Sequence, residues 1–83
     1  MIKEIIFPIN LSGRIAFHFV QEVQEKVSAL LHLGNAFHRV NAKSLLGVLS
    51  LNIHSGDQVI VFYQNEEDMK TLEEIIINIK EEF

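Results

Sequence analysis

Apolar and polar positions recur along this chain in two periods, and the switches between them mark the expected elements. Residues 2–9, rich in Ile and Phe, read as a strand. Pro8 near its end cannot donate to a ladder, so this strand lies at a sheet edge or stops there. Ser12 and Gly13 punctuate a turn. Ala16, Val20, Val23 and Val27 then share one face of a 3.6-residue period. They predict a helix over 15–27, with Phe19 flanking the stripe and His18, Glu22 and Glu25 opposite. Residues 29–33 and 36–40 read as two short strands around a Gly34-Asn35 loop. A short helix is expected over 44–52 behind Ser44, a turn at "HSGD" (54–57) and a strand at "QVIVFYQ" (58–64). Asn65 caps a last helix whose core stripe is Met69, Leu72, Ile76, Ile79 and Phe83. The order is β-α-β-β-α-β-α, an α+β fold in which helices segregate to one side of an antiparallel sheet. One domain over 1–83 is expected.

Two segments carry more apolar surface than that scheme needs. Strand 58–64 is apolar on both faces, with Val59, Val61 and Tyr63 on one and Ile60 and Phe62 on the other. A strand with one wet face should alternate instead. The short helix lies in "NAKSLLGVLSL" (41–51), where Leu45, Leu46, Val48, Leu49 and Leu51 leave almost no polar face. Either it is wholly buried or part of it is an interaction surface.

Composition narrows the function. Hydrophobic residues make up 48% of the 83, enough for the dense core that a small domain needs. There is no cysteine, hence no disulfide framework and no thiolate metal site, which suits a cytoplasmic location. The opening "MIKEIIFPIN" does not read as a targeting segment, and no apolar run approaches a membrane span. The net charge of −4 is concentrated at the end: residues 66–83 hold seven acids against Lys70 and Lys80. Those acids read as a solvated helix face. The basic residues are scattered, which argues against direct nucleic-acid binding. No Gly-rich phosphate loop and no ligand spacing around His32, His38 or His54 is visible, so no metal, cofactor or independent catalysis is expected.

The order of elements and the stretch "KSLLGVLSL" resemble HPr, the phosphocarrier of the bacterial phosphoenolpyruvate-sugar phosphotransferase system. The family's second signature has this shape: Lys-Ser, two bulky apolar residues, Gly, two apolar residues, Ser or Thr, Leu. A glycine turn and a strand follow in "NIHSGDQVIV". The resemblance covers nearly the whole chain. It implies a two-layer open-faced sandwich, a four-stranded antiparallel sheet with three helices on one face.

The family's first signature is glycine, aliphatic, histidine, alanine, arginine, proline, alanine, and its histidine carries the phosphate. The matching run here is "GRIAFHF" (13–19). Gly13 and Ala16 agree, but Ile15 stands at the phosphoacceptor position, Phe17 at the arginine and His18 at the proline. A hydrocarbon cannot accept a phosphoryl group. His18 is the only substitute nucleophile in place, in the first helical turn beside Arg14. It lies most of a turn from the family's position, and in-line transfer tolerates little displacement.

Ser44 falls at the family's regulatory serine. In Gram-positive relatives an ATP-dependent kinase phosphorylates that residue, and the product binds a catabolite-control transcription regulator. The resemblance therefore implies a non-transferring regulatory or adaptor protein with Ser44 as its switch and Lys43, Leu45, Leu46, Leu49 and Phe17 as partner contacts. The alternatives are a phosphocarrier working through His18 and an interaction module without phosphorylation. The resemblance also makes strands 2–9 and 58–64 neighbours, in a register expected to point Ile5, Phe7, Ile60 and Phe62 outward. Four such side chains left in water predict a covered face, most simply by a homodimer.

Overall fold

The computed structural model describes residues 1–83. Its elements are β1 (Ile2–Ile6), α1 (Gly13–Lys26), β2 (Leu31–Gly34), β3 (Arg39–Asn41), α2 (Leu45–Ser50), β4 (Gln58–Tyr63) and α3 (Glu66–Glu82). The strands form one sheet in the order β1-β4-β2-β3, every pair antiparallel. β1 is an edge strand, and it stops at Ile6, two residues before Pro8.

The helices cover one sheet face. Leu31, Leu33, Val40, Val59, Val61 and Tyr63 point into that layer and are buried with Ala16, Phe19, Val20 and Val23 of α1 and Met69, Leu72, Ile75, Ile76 and Ile79 of α3. The stripe read from α1 is thus the observed one. At the start of α3 the Asn65 side chain accepts the Asp68 N–H at 2.8 Å and donates to the Asp68 carboxylate at 3.1 Å. This reciprocal cap buries Asp68, so that acid does not belong to the solvated face. Phe83 also departs from expectation. It lies beyond the last helical turn, 54% exposed, and Ile75 takes its place in the core.

The main correction concerns β1. Ile2, Glu4 and Ile6 pair with Phe62, Ile60 and Gln58, whereas Ile5 pairs with Val59. Ile5 and Phe7 therefore face the helices, and the outward apolar residues are Ile2, Ile6, Ile60 and Phe62. Side chains alternate with a period of two, so a slip of one residue exchanges the whole set. The structure fixes this register beyond the strand. The Phe7 N–H donates to the Asp57 carbonyl at 2.9 Å, and the Gly56 N–H donates to the Phe7 carbonyl at 2.8 Å. Phe7 is then fully buried, edge-on to Phe19 at 6.0 Å between centroids.

The β2–β3 hairpin has a longer loop than Gly34-Asn35. The Asn35 side chain accepts the N–H groups of Phe37 and His38, both at 2.9 Å, and holds residues 35–38 in a turn. Gly34 begins it because a Cβ there would lie 2.8 Å from the His38 carbonyl oxygen and 3.2 Å from the Phe62 ring.

Candidate functional site

Two places offer chemistry: the start of α1 and the start of α2. α1 opens at Ser12-Gly13 without a side-chain cap, so its first N–H groups are free of protein partners from side chains. The residue that would meet an anion there is Ile15, half-buried and packed against the core. Phe17 projects outward, about half exposed. This end of α1 can hold an apolar partner, but Ile15 has no atom that can accept a phosphoryl group.

His18 does not lie freely on the surface opposite the core. Its Nε2 is 3.5 Å from Glu22 Oε1 and 3.6 Å from Glu82 Oε2, and its ring meets Phe83 edge-on at 5.6 Å. The ring thus points to the end of α3, between two carboxylates. A phosphoryl group there would add negative charge beside two existing ones. Glu22 also approaches Lys26 Nζ at 2.9 Å, and this carboxylate raises the Lys26 pKa above its ordinary value. Tyr63 is raised as well, first by burial and then by Glu66, whose carboxylate accepts the hydroxyl at 3.3 Å.

Ser44 is the exposed N-cap of α2, with its Oγ accepting the Gly47 N–H at 3.2 Å. Gly47 makes that closeness feasible, since a Cβ would sit 3.1 Å from Val40 Cβ and 3.2 Å from Ser44 Oγ. The cap is tied to neighbouring elements. Asn41 Oδ1 accepts the Lys43 N–H at 2.8 Å, and Gln24 Nε2 of α1 donates to the Lys43 carbonyl at 2.8 Å. At the other end, Ser50 Oγ donates to the Gly47 carbonyl at 2.6 Å and lies 3.3 Å from His38 Nε2.

Val48 is the one residue of α2 that is fully buried. Leu45 is half-buried against the core, while Leu46 is 80% exposed and Leu49 38%. Leu45 and Phe17 also line a shallow groove of about 180 Å³ between α1 and α2, together with Val20, Gln21 and Gln24. The structure thus brings Phe17, Lys43, Ser44 and Leu45 to one junction, with Leu46 and Leu49 on the adjoining helix. His18 is turned toward α3. The Gln24 tether escaped the sequence reading because a glutamine on a wet helix face carries no signal of its partner. The 97%-exposed Phe37 was hidden by the reading of 36–40 as a strand, where an aromatic residue gives no sign of a turn.

No helix is long and apolar enough to cross a membrane. The model of the family described as "PTS HPr component phosphorylation site" matches residues 3–81. The HPr-like protein Crh of Bacillus subtilis is 33% identical over 79 residues, covering 95% of this chain and 92% of that protein. Among solved structures, HPr-C-His of Thermoanaerobacter tengcongensis superposes with a TM-score of 0.80 at 27% identity, covering 95% of this chain and 93% of the other. The catabolite repression containing protein Crh of B. subtilis, solved as a swapped, intertwined dimer, superposes with a TM-score of 0.66 at 32% identity, covering 94% and 88%.

Proposed function

The chain belongs to the HPr family, the phosphocarrier proteins of the sugar phosphotransferase system, and from that membership we propose that it is a regulatory or adaptor member, switched at Ser44 and carrying no phosphate through α1. The observation that carries this reading is an exposed Ser44 hydroxyl at the head of a helix that leaves Leu46 and Leu49 bare. Phosphorylation adds about −1.5 to −2 charges and three acceptor oxygens. A phosphate on Ser44 lies beside the Gly47 N–H that the hydroxyl already engages, so the fold accommodates it. The surface then presents an anion next to an apolar patch, a combination that the unmodified protein lacks. A partner with a cationic group beside an apolar pocket distinguishes the two forms. By analogy with the family, the modifying enzyme is an ATP-dependent serine kinase and the partner a catabolite-control transcription regulator, both in the cytoplasm.

Phosphate transfer through α1 is disfavoured by Ile15 at the acceptor position and by the carboxylates of Glu22 and Glu82 around His18. The protein performs no reaction of its own in this reading. Treatment with the family's serine kinase and ATP is expected to give one acid-stable phosphate, mapped to Ser44 by peptide mass spectrometry and absent from Ser44→Ala. An unmodified Ser44 under conditions that modify an ordinary HPr contradicts the switch.

A further inference from the structure

We infer that the open sheet face is a self-association surface on which a second copy packs face to face, Glu4 of each chain pairing with the partner's Arg39. The strand register carries the argument. Glu4 pairs with Ile60, Ile60 with Gly34, and Gly34 with Arg39, so these four residues form one row across all four strands. The row lies on the face away from the helices. It has an anion at the β1 edge, a cation at the β3 edge, and an isoleucine and a glycine between them. The next row, Ile2, Phe62, His32 and Asn41, is apolar at β1 and β4.

Neither charge at the ends of the row is in an ion pair within the chain. The Arg39 guanidinium lies flat over the Phe62 ring at 4.1 Å, and the Glu4 carboxylate accepts only a neutral donor, Gln58 Nε2, at 2.6 Å. Lys3, on the opposite face of the same strand, does reach a carboxylate, Glu73 at 3.4 Å. The open face is also where β1 leaves Ile2 and Ile6 66% and 62% exposed.

A two-fold axis parallel to the strands exchanges β1 with β3 and β4 with β2, and leaves each row at its own height. Glu4 then meets the partner's Arg39 at both ends of the row. Ile60 comes over the partner's Gly34, which has no side chain of its own and is flanked by the Phe62 ring, once Arg39 swings off that ring to reach the Glu4 opposite it. Sheets packed this way keep their strands within about 30° of alignment and lie about 10 Å apart. The long Arg and Glu side chains span the divergence at the row ends. The face is self-complementary in charge and shape, which an isologous dimer requires. Each chain keeps its own β1 on its own β4, so this arrangement differs from exchange of an element.

Charge reversal tests it by sedimentation velocity over a micromolar to millimolar range. The parent is expected to reach twice its 9.5 kDa mass. Glu4→Arg alone and Arg39→Glu alone place like charges opposite each other and should each weaken the dimer about tenfold or more. Glu4→Arg with Arg39→Glu restores the pairs in reversed sense and should recover the parent's affinity. Both positions are exposed, and amide spectra of the monomers verify their folds. A parent that stays monomeric overturns the inference. So does a dimer indifferent to the single reversals, the behaviour of an exchanged strand or another face, or a double variant no tighter than the singles.

Discussion

Phe7→Ala is expected to lower the unfolding free energy by about 3–5 kcal/mol, the range for deleting a buried aromatic ring. That is a large share of the roughly 5–15 kcal/mol by which a domain is stable. Phe7 is fully buried, stands edge-on to Phe19, and is held by backbone bonds to Asp57 and Gly56 on the loop before β4. Truncation opens a cavity where the sheet edge meets α1, and the backbone anchors limit its collapse. The neighbouring Ile6→Ala removes a residue 62% exposed on the other face and should cost under about 1 kcal/mol in the monomer. Urea unfolding of the two variants at a concentration that keeps them monomeric measures the contrast. Equal, small losses would mean that β1 is paired one residue out of register, with Phe7 facing water.

The second large effect concerns binding. If the proposed Ser44 switch holds, Leu46→Lys is expected to weaken the phosphorylated protein's affinity for the proposed partner, a catabolite-control regulator, by about thirtyfold or more, the effect of losing an interface anchor worth about 2 kcal/mol. Leu46 is 80% exposed, so the substitution should leave stability within about 0.5 kcal/mol of the parent. Ile77→Lys on α3 is the control: that residue is also more than half exposed, yet it lies on a helix outside the junction of α1 and α2. Titration of the phosphorylated forms separates the cases. A Leu46→Lys variant that binds like the parent removes α2 from the partner surface.

How much of this was legible in the sequence differs from element to element. The α1 stripe, the Asn65 cap and Ser44 at the head of α2 are local patterns, and each stands where the periodicity or capping residue puts it. The facing of β1 was not legible, because Ile5 and Phe7 on one side and Ile2 and Ile6 on the other are equally apolar. The choice between them is made by the Phe7 bonds to residues 56 and 57, some fifty positions away. The hairpin loop was misjudged for a nearer reason: Asn35 closes its turn through its side chain, which lengthens the loop at the expense of the second strand, β3, while β2 runs on through Gly34. His18 shows the limit for the candidate site. Its place on α1 could be read, but the helix begins at Gly13, which puts His18 in the second turn rather than the first, and Glu82 and Phe83, which surround it, come from the far end of the chain. The exposure of Leu46 and the partial burial of Leu45 depend on how the short helix rolls against β3 and α1, and the leucine-rich pattern alone does not specify that.

Whether the chain regulates rather than carries phosphate is decided most directly by phosphoenolpyruvate and Enzyme I, the general kinase of the sugar phosphotransferase system, with an ordinary HPr beside it. Intact-protein mass spectrometry before and after acid treatment reads the outcome. The HPr gains an acid-labile phosphate, whereas this protein is expected to gain none, because the resemblance to the family's first signature puts Ile15 at the acceptor position and His18 faces two carboxylates. An acid-labile phosphate on the parent that disappears in His18→Ala would contradict the account and make the protein a phosphocarrier.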